Sequence, residues 1–119
     1  MEIVFVYGTL RQGYHNHRLI IDCRFIDTAR TVNDYAMYAN GIPYVSDNEK
    51  VSQIYGELYL VKPKILFNLD MLEGHPAWYK RKKVPTETMS GKIYNAWLYF
   101  NNTKTDNLIM SGDYSEYMS

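Results

Sequence analysis

The sequence predicts a small α+β domain, a curled or closed mixed sheet with short helices packed against it. Three observations point there. Six or seven short runs have strand composition, while only two stretches show helical spacing. A glycine, Gly56, interrupts the longest strand-like run, and small closed sheets need a bulge or tight bend at such places. The 119 residues suit one domain spanning 1–119, with no internal repeat or linker to divide it.

Ile3, Val4, Phe5 and Val6 form an unbroken apolar run, the composition of a strand covered on both faces. It leads into Tyr7-Gly8-Thr9-Leu10, where a glycine permits a sharp turn and close approach of a ligand. Asn16 is placed to cap a short helix through Ile21, with Leu19, Ile20 and Ile21 on its buried side. Residues 24–32 read as a strand with Phe25 and Ile26 toward the core. Tyr35 to Tyr38 is a further strand ending at the turn dipeptide Asn40-Gly41. Pro43 makes the following Ile42–Val45 run an edge or a bend.

After a polar loop at 46–49, Val51 to Val61 is the longest strand, with Ile54, Leu58 and Leu60 on one face and Gly56 at its bulge. Pro63 opens a helix in which Ile65, Leu66, Leu69 and Leu72 recur at helical spacing, and Gly74 stops it. Tyr79–Thr88 and Lys92–Phe100 are the last two strands, joined through Met89-Ser90-Gly91. In the second, Ala96, Leu98 and Phe100 alternate with Asn95, Trp97 and Tyr99. Residues 103–119 are weakly patterned, with a short helix expected at Asp106 to Met110.

Thirteen basic and thirteen acidic residues leave no net charge, which argues against a nucleic-acid or membrane-surface binder. The local run Lys80-Arg81-Lys82-Lys83 reads as a solvated strand edge. A lone cysteine, Cys23, cannot form an internal disulfide and fits a reducing, cytoplasmic setting as a half-buried structural thiol. No apolar run is long enough for a signal segment or membrane span. His15 and His17 read as a solvated pair, so no metal site is expected.

Two stretches carry chemistry. The loop after the first strand can aim backbone N–H groups into one concavity, a nest for a carboxylate or oxyanion; the alternative is a simple strand-to-loop turn. Glu73 ends a helix among apolar residues, with His75, Pro76, Trp78 and Tyr79 placed to wall it from water. Such a carboxylate loses hydration, its pKa rises, and it becomes a usable general base. The alternative is a solvated glutamate, although negative charge at a helix C-terminus opposes the macrodipole. Arg81 shares a strand face with Tyr79, and a structural pairing with Asp70 or Asp113 is expected, since an ion pair with Glu73 would lower its pKa.

Tyr7-Gly8-Thr9-Leu10-Arg11, followed by Gly13, Asn16 and a Leu-Ile run, resembles the opening signature of the gamma-glutamylcyclotransferase-like family, including its AIG2-like and gamma-glutamylamine cyclotransferase branches. Leu69-Asp70-Met71-Leu72-Glu73-Gly74, then Pro76, Tyr79, Arg81 and Val84, is similar to the family's second segment. Ser111-Gly112-Asp113-Tyr114 resembles its closing element, with Tyr114 where many members carry Trp. The resemblance implies a small mixed β-barrel with short flanking helices and a pocket at one end. It implies a cofactor-free enzyme, monomer or weak homodimer, that converts a gamma-glutamyl amine or amide to 5-oxoproline and free amine. Glu73 matches the catalytic glutamate, with Tyr7, Gly8, Thr9, Leu10, Tyr79 and Tyr114 around the substrate. The alternative is a non-catalytic ligand-binding or regulatory module that keeps the pocket.

Overall fold

The computed structural model describes residues 1–105 and 107–118. Five strands close into a barrel: β1 (Glu2–Val6), β2 (Arg24–Thr31), β5 (Tyr55–Val61), β6 (Lys80–Thr88) and β7 (Ile93–Phe100), in the spatial order β1-β5-β2-β6-β7. All neighbours are antiparallel except β1 and β7, whose parallel contact at Val4 and Trp97 closes the ring. β3 (Ala36–Asn40) and β4 (Ile42–Ser46) form a separate hairpin, which accommodates Pro43 opposite Ala39. Helix α1 (Pro63–Glu73) lies against the barrel and α2 (Tyr114–Met118) ends the described chain.

β1 is covered on both faces, as its composition predicts. Phe5 joins Ala29, Leu58, Val84, Ala96 and Leu98 in the barrel interior. Val4 and Val6 join Tyr59, Val61, Tyr79 and Tyr99 on the outer face beneath Leu66 and Leu69 of α1. The period-2 alternation of β7 sorts accordingly, with Leu98 inward and Tyr99 outward. Among the described residues, no helix is long and apolar enough to cross a membrane.

Several expectations need correction. Residues 15–19 form a 3₁₀ turn, not an α-helix capped by Asn16; Tyr14 precedes it without a side-chain cap. The 3₁₀ segment ends at Leu19, so Ile20 and Ile21 lie beyond it and do not share a helical face with Leu19. Ile20 is buried and Ile21 is exposed. In β2 the register shifts between Phe25 and Asp27, and Phe25 lies outward against the Tyr59 ring; Ile26 packs half-buried against the core as expected, together with buried Ala29. The irregularity of the barrel therefore falls on β2. Gly56 pairs regularly with Ala29 and serves a different need: a Cβ there would lie 2.3 Å from the Val6 carbonyl oxygen and 2.8 Å from the Phe5 ring.

The strand expected from Val51 begins only at Tyr55, because the Ile54 N–H donates to the Thr31 hydroxyl instead of a ladder partner. Leu72 is exposed although its spacing matches the buried stripe of α1. Asp106 lies outside the described residues, and 107–110 are not helical. There the chain runs beside β3: the Ala39 N–H donates to the Asn107 carbonyl and the Ile109 N–H to the Met37 carbonyl. The run at 80–83 is largely engaged. Arg81 and Lys83 lie over the Trp97 ring, and Lys82 pairs with Asp47 at 2.6 Å.

Gly56→Ala forces a methyl into the Val6 carbonyl and the Phe5 ring, and overpacking of this kind costs about 1–3 kcal/mol. Its urea midpoint should fall well below that of the wild type.

Candidate active site

α1 places the acid. Its last turn closes with the Gly74 N–H donating to the Met71 carbonyl and the His75 N–H to the Asp70 carbonyl, with Gly74 left-handed at φ 66°. The chain then doubles back: the Trp78 N–H donates to the Gly74 carbonyl at 2.8 Å and the Tyr79 N–H to the Glu73 carbonyl at 3.2 Å. Glu73, Trp78 and Tyr79 are thereby gathered around one cavity of about 150 Å³. Its other walls come from Phe5 to Leu10, Asn16, Ile42, Pro43, Leu72 and Tyr99.

The facing wall is the loop after β1. The Gly8 carbonyl accepts the Arg11 N–H, the Thr9 carbonyl accepts the Asn16 N–H, and the Leu10 carbonyl accepts Nδ1–H of His17 at 2.9 Å. In a trans peptide C=O and N–H point in opposite directions, so engaging the Gly8 and Thr9 carbonyls on one side turns the Thr9 and Leu10 amides to the other. Among the described residues, the N–H groups of Gly8, Thr9 and Leu10 donate to no partner. The loop is further held by Asn16, which donates to the Thr9 hydroxyl, and by buried Glu57, which accepts the Gln12 N–H. Arg11 ties it to Asp113 at 2.9 Å. Gly8 is required by protein packing: a Cβ there would lie 2.5 Å from Pro43 Cγ, so the glycine admits Pro43 to the cavity wall.

Glu73 has no hydrogen bond or ion pair to its carboxylate among the described residues, and loss of hydration pushes its pKa up to about 7. Asp70, one turn earlier on α1, has the opposite fate. Burial pushes its carboxyl up, but hydrogen bonds from Arg81 and from the Tyr99 hydroxyl outweigh that and hold it below its ordinary value. The Arg81 contact is two-pronged, Nε to Oδ1 at 2.8 Å and Nη2 to Oδ2 at 3.1 Å. Of the two partners expected for Arg81, Asp70 takes it, while Asp113 belongs to Arg11.

Tyr7 and Tyr79 line the cavity with their hydroxyls already committed. Tyr7 donates to the Tyr99 carbonyl at 2.7 Å and Tyr79 to the Pro43 carbonyl at 2.9 Å. Burial, together with the nearby Glu73 charge, raises both phenol pKa values. Gly8, Thr9 and Leu10 also line it. Tyr114 does not; it is buried in the core, and its hydroxyl fastens the Gly41 carbonyl at the β3–β4 turn. Tyr99 is the wall residue that sequence reasoning missed. The available signal was its position on the same strand face as Trp97, opposite Leu98, where a buried phenol needs an acceptor. His17 is no solvated side chain, since it holds Leu10 and packs on Tyr59. Among the described residues no group of His, Cys, Asp or Glu is arranged to hold a metal ion.

Residues 4–116 match the family model described as gamma-glutamyl cyclotransferase, AIG2-like. The chain belongs to this family. A presumed gamma-glutamylcyclotransferase of Methanocaldococcus jannaschii is 51% identical over 118 residues, 98% of each chain. Gamma-glutamylaminecyclotransferase B of Danio rerio is 37% identical over 118 residues, covering 88% of this chain and 60% of the relative. The crystal structure of a mouse AIG2-like protein superposes with a TM-score of 0.79 at 26% identity, over 89% of this chain and 80% of that one. The small α+β barrel is thus the AIG2-like fold.

In this AIG2-like chain the raised pKa of Glu73 has a thermodynamic sign. Unfolding returns the carboxyl to its ordinary value of 4.5, so the unfolded chain loses the proton first as pH rises. Stability contributed by the protonated form is full below 4.5, falls between 4.5 and about 7, and stays lost above. Glu73→Gln should therefore match the wild type in thermal melts near pH 4. At pH 8 it should be more stable by roughly 2–3 kcal/mol.

Proposed function

We propose that the protein is a cofactor-free cyclotransferase that converts a gamma-glutamyl amine or amide to 5-oxoproline and the free amine, with Glu73 as general base and then general acid. One observation carries this reading: an ionisable carboxyl with a pKa near 7 shares a small cavity with three unpartnered backbone N–H groups. The family membership and the cyclotransferase names of the relatives support it.

The substrate brings its own nucleophile. Glu73 takes a proton from the α-ammonium, whose nitrogen then attacks the γ-carbonyl carbon. The new N–C bond closes a five-membered ring, Glu73 returns the proton to the leaving nitrogen, and the bond from carbon to that nitrogen breaks; the second proton, shed by the ring nitrogen as the neutral lactam forms, passes to the freed amine, which departs as an ammonium. Holding nucleophile and carbonyl in contact replaces a serine or cysteine nucleophile. The N–H groups of Gly8, Thr9 and Leu10 bind the α-carboxylate or the oxyanion that develops on the γ-carbonyl. Tyr7, Tyr79 and Tyr99 act as walls, since their hydroxyls are engaged within the protein. The half-buried lone thiol of Cys23, its pKa raised by burial, fits a reducing, cytoplasmic setting.

Incubation with a panel of gamma-glutamyl amides should give 5-oxoproline by mass spectrometry, and kcat/KM should fall as pH drops below about 7, where Glu73 is protonated. Glu73→Gln should lower the rate by about 10²–10⁴-fold while remaining folded. Wild-type turnover in that variant, or no 5-oxoproline from any panel member, contradicts the proposal.

A further inference from the structure

The cavity of about 150 Å³ is comparable to an engineered cavity that holds one benzene. If the glutamyl portion fills it, the substituent on the leaving nitrogen must lie on the rim. Two residues mark that rim by their exposure: Leu72 is 40% and Trp78 52% exposed, although both line the cavity. Half-buried Ile42 lines the same cavity. No lysine or arginine lines the cavity among the described residues, and Glu73 is its only carboxylate.

Trp78 is held in place before any ligand arrives. Its ring packs edge-on against Tyr79 at 5.0 Å and Tyr44 at 6.5 Å between centroids, and its backbone N–H is fixed to the Gly74 carbonyl. An exposed indole so anchored offers apolar area at little further loss of side-chain freedom.

We infer that Leu72, Trp78 and Ile42 form a leaving-group subsite that takes the hydrocarbon part of an amine, aromatic or branched, with no carboxylate on the carbon next to the leaving nitrogen. This rests on the cyclotransferase reading above. A carboxylate at that carbon would be drawn from water against apolar side chains with no cation to meet it. A phenyl or branched alkyl group would instead cover the Trp78 ring and the Leu72 side chain.

Matched ligands separate the two halves of the inference. Gamma-glutamylbenzylamide and gamma-glutamylphenylglycine differ only in the carboxylate, and gamma-glutamylmethylamide lacks the hydrocarbon. Titration calorimetry on Glu73→Gln, which blocks turnover, should show the benzylamide binding about tenfold more tightly than either of the others. Adding Trp78→Ala should bring the benzylamide to within about twofold of the methylamide, both measured on that double variant. Adding Leu72→Lys instead should strengthen binding of the phenylglycine conjugate. Equal or tighter binding of phenylglycine than benzylamide, or a benzyl preference that survives Trp78→Ala, overturns the subsite. The same panel with wild-type protein reads the other question: absence of 5-oxoproline from every member refutes the cyclotransferase reading, while the binding order still decides the subsite.

Discussion

Keeping the Glu73 carboxyl in an aromatic-walled cavity without a counter-ion costs the folded state stability at neutral pH, and the surroundings are built so that the charge cannot escape or be neutralised. The nearest threat is Arg81, whose guanidinium would pull the pKa of any carboxylate it reached sharply down. Asp70 intercepts it with both oxygens, and the Tyr99 hydroxyl adds a third bond to the same carboxylate at 2.6 Å. Two carboxylates three residues apart on one helix thus have their pKa values driven in opposite directions, Asp70 down and Glu73 up. Environments that part like groups in this way assign acid–base roles.

The same division runs through the rest of the cavity. Tyr7, Tyr79 and Tyr99 bring aromatic area for excluding water, yet each hydroxyl is bonded to a protein acceptor. The loop from Gly8 to Leu10 has its carbonyls occupied by Arg11, Asn16 and His17. What remains available to a ligand is one proton-exchanging carboxyl and a set of fixed amide donors, which is the equipment an intramolecular acyl transfer needs. The scaffold beneath is stiff: the barrel closes through β1, and the cavity loop leaves from the end of that strand.

Much of this was legible in the residues. The apolar run of β1, the alternation in β7, the Pro63-to-Gly74 helix and the placement of Glu73 among aromatics follow from period, propensity and cap chemistry. The failures share a cause, competition between a local pattern and a partner distant in sequence. Ile54 left its strand for the Thr31 hydroxyl, Phe25 was turned outward by a register shift, and 107–110 paired along β3 where a helix was expected. Within the cavity, Gly8 lines the wall and also makes room for Pro43, a second need that its sequence neighbours did not show. Tyr114 was assigned to the cavity wall but is buried under the β3–β4 turn. Tyr99 showed only through its strand face opposite Leu98, and the cavity residue Ile42 was invisible because its role depends on how the barrel and the hairpin meet.

The central claim concerns one proton, and it can be read directly. Carboxyl-carbon NMR of selectively labelled glutamate, with Glu73 assigned by comparison with Glu73→Gln, should show that side chain titrating near pH 7 while exposed glutamates titrate near their ordinary values. A midpoint for Glu73 at or below 4.5 would mean that the carboxyl is hydrated or paired with a cation, and the account of this cavity as a site of proton transfer would be wrong.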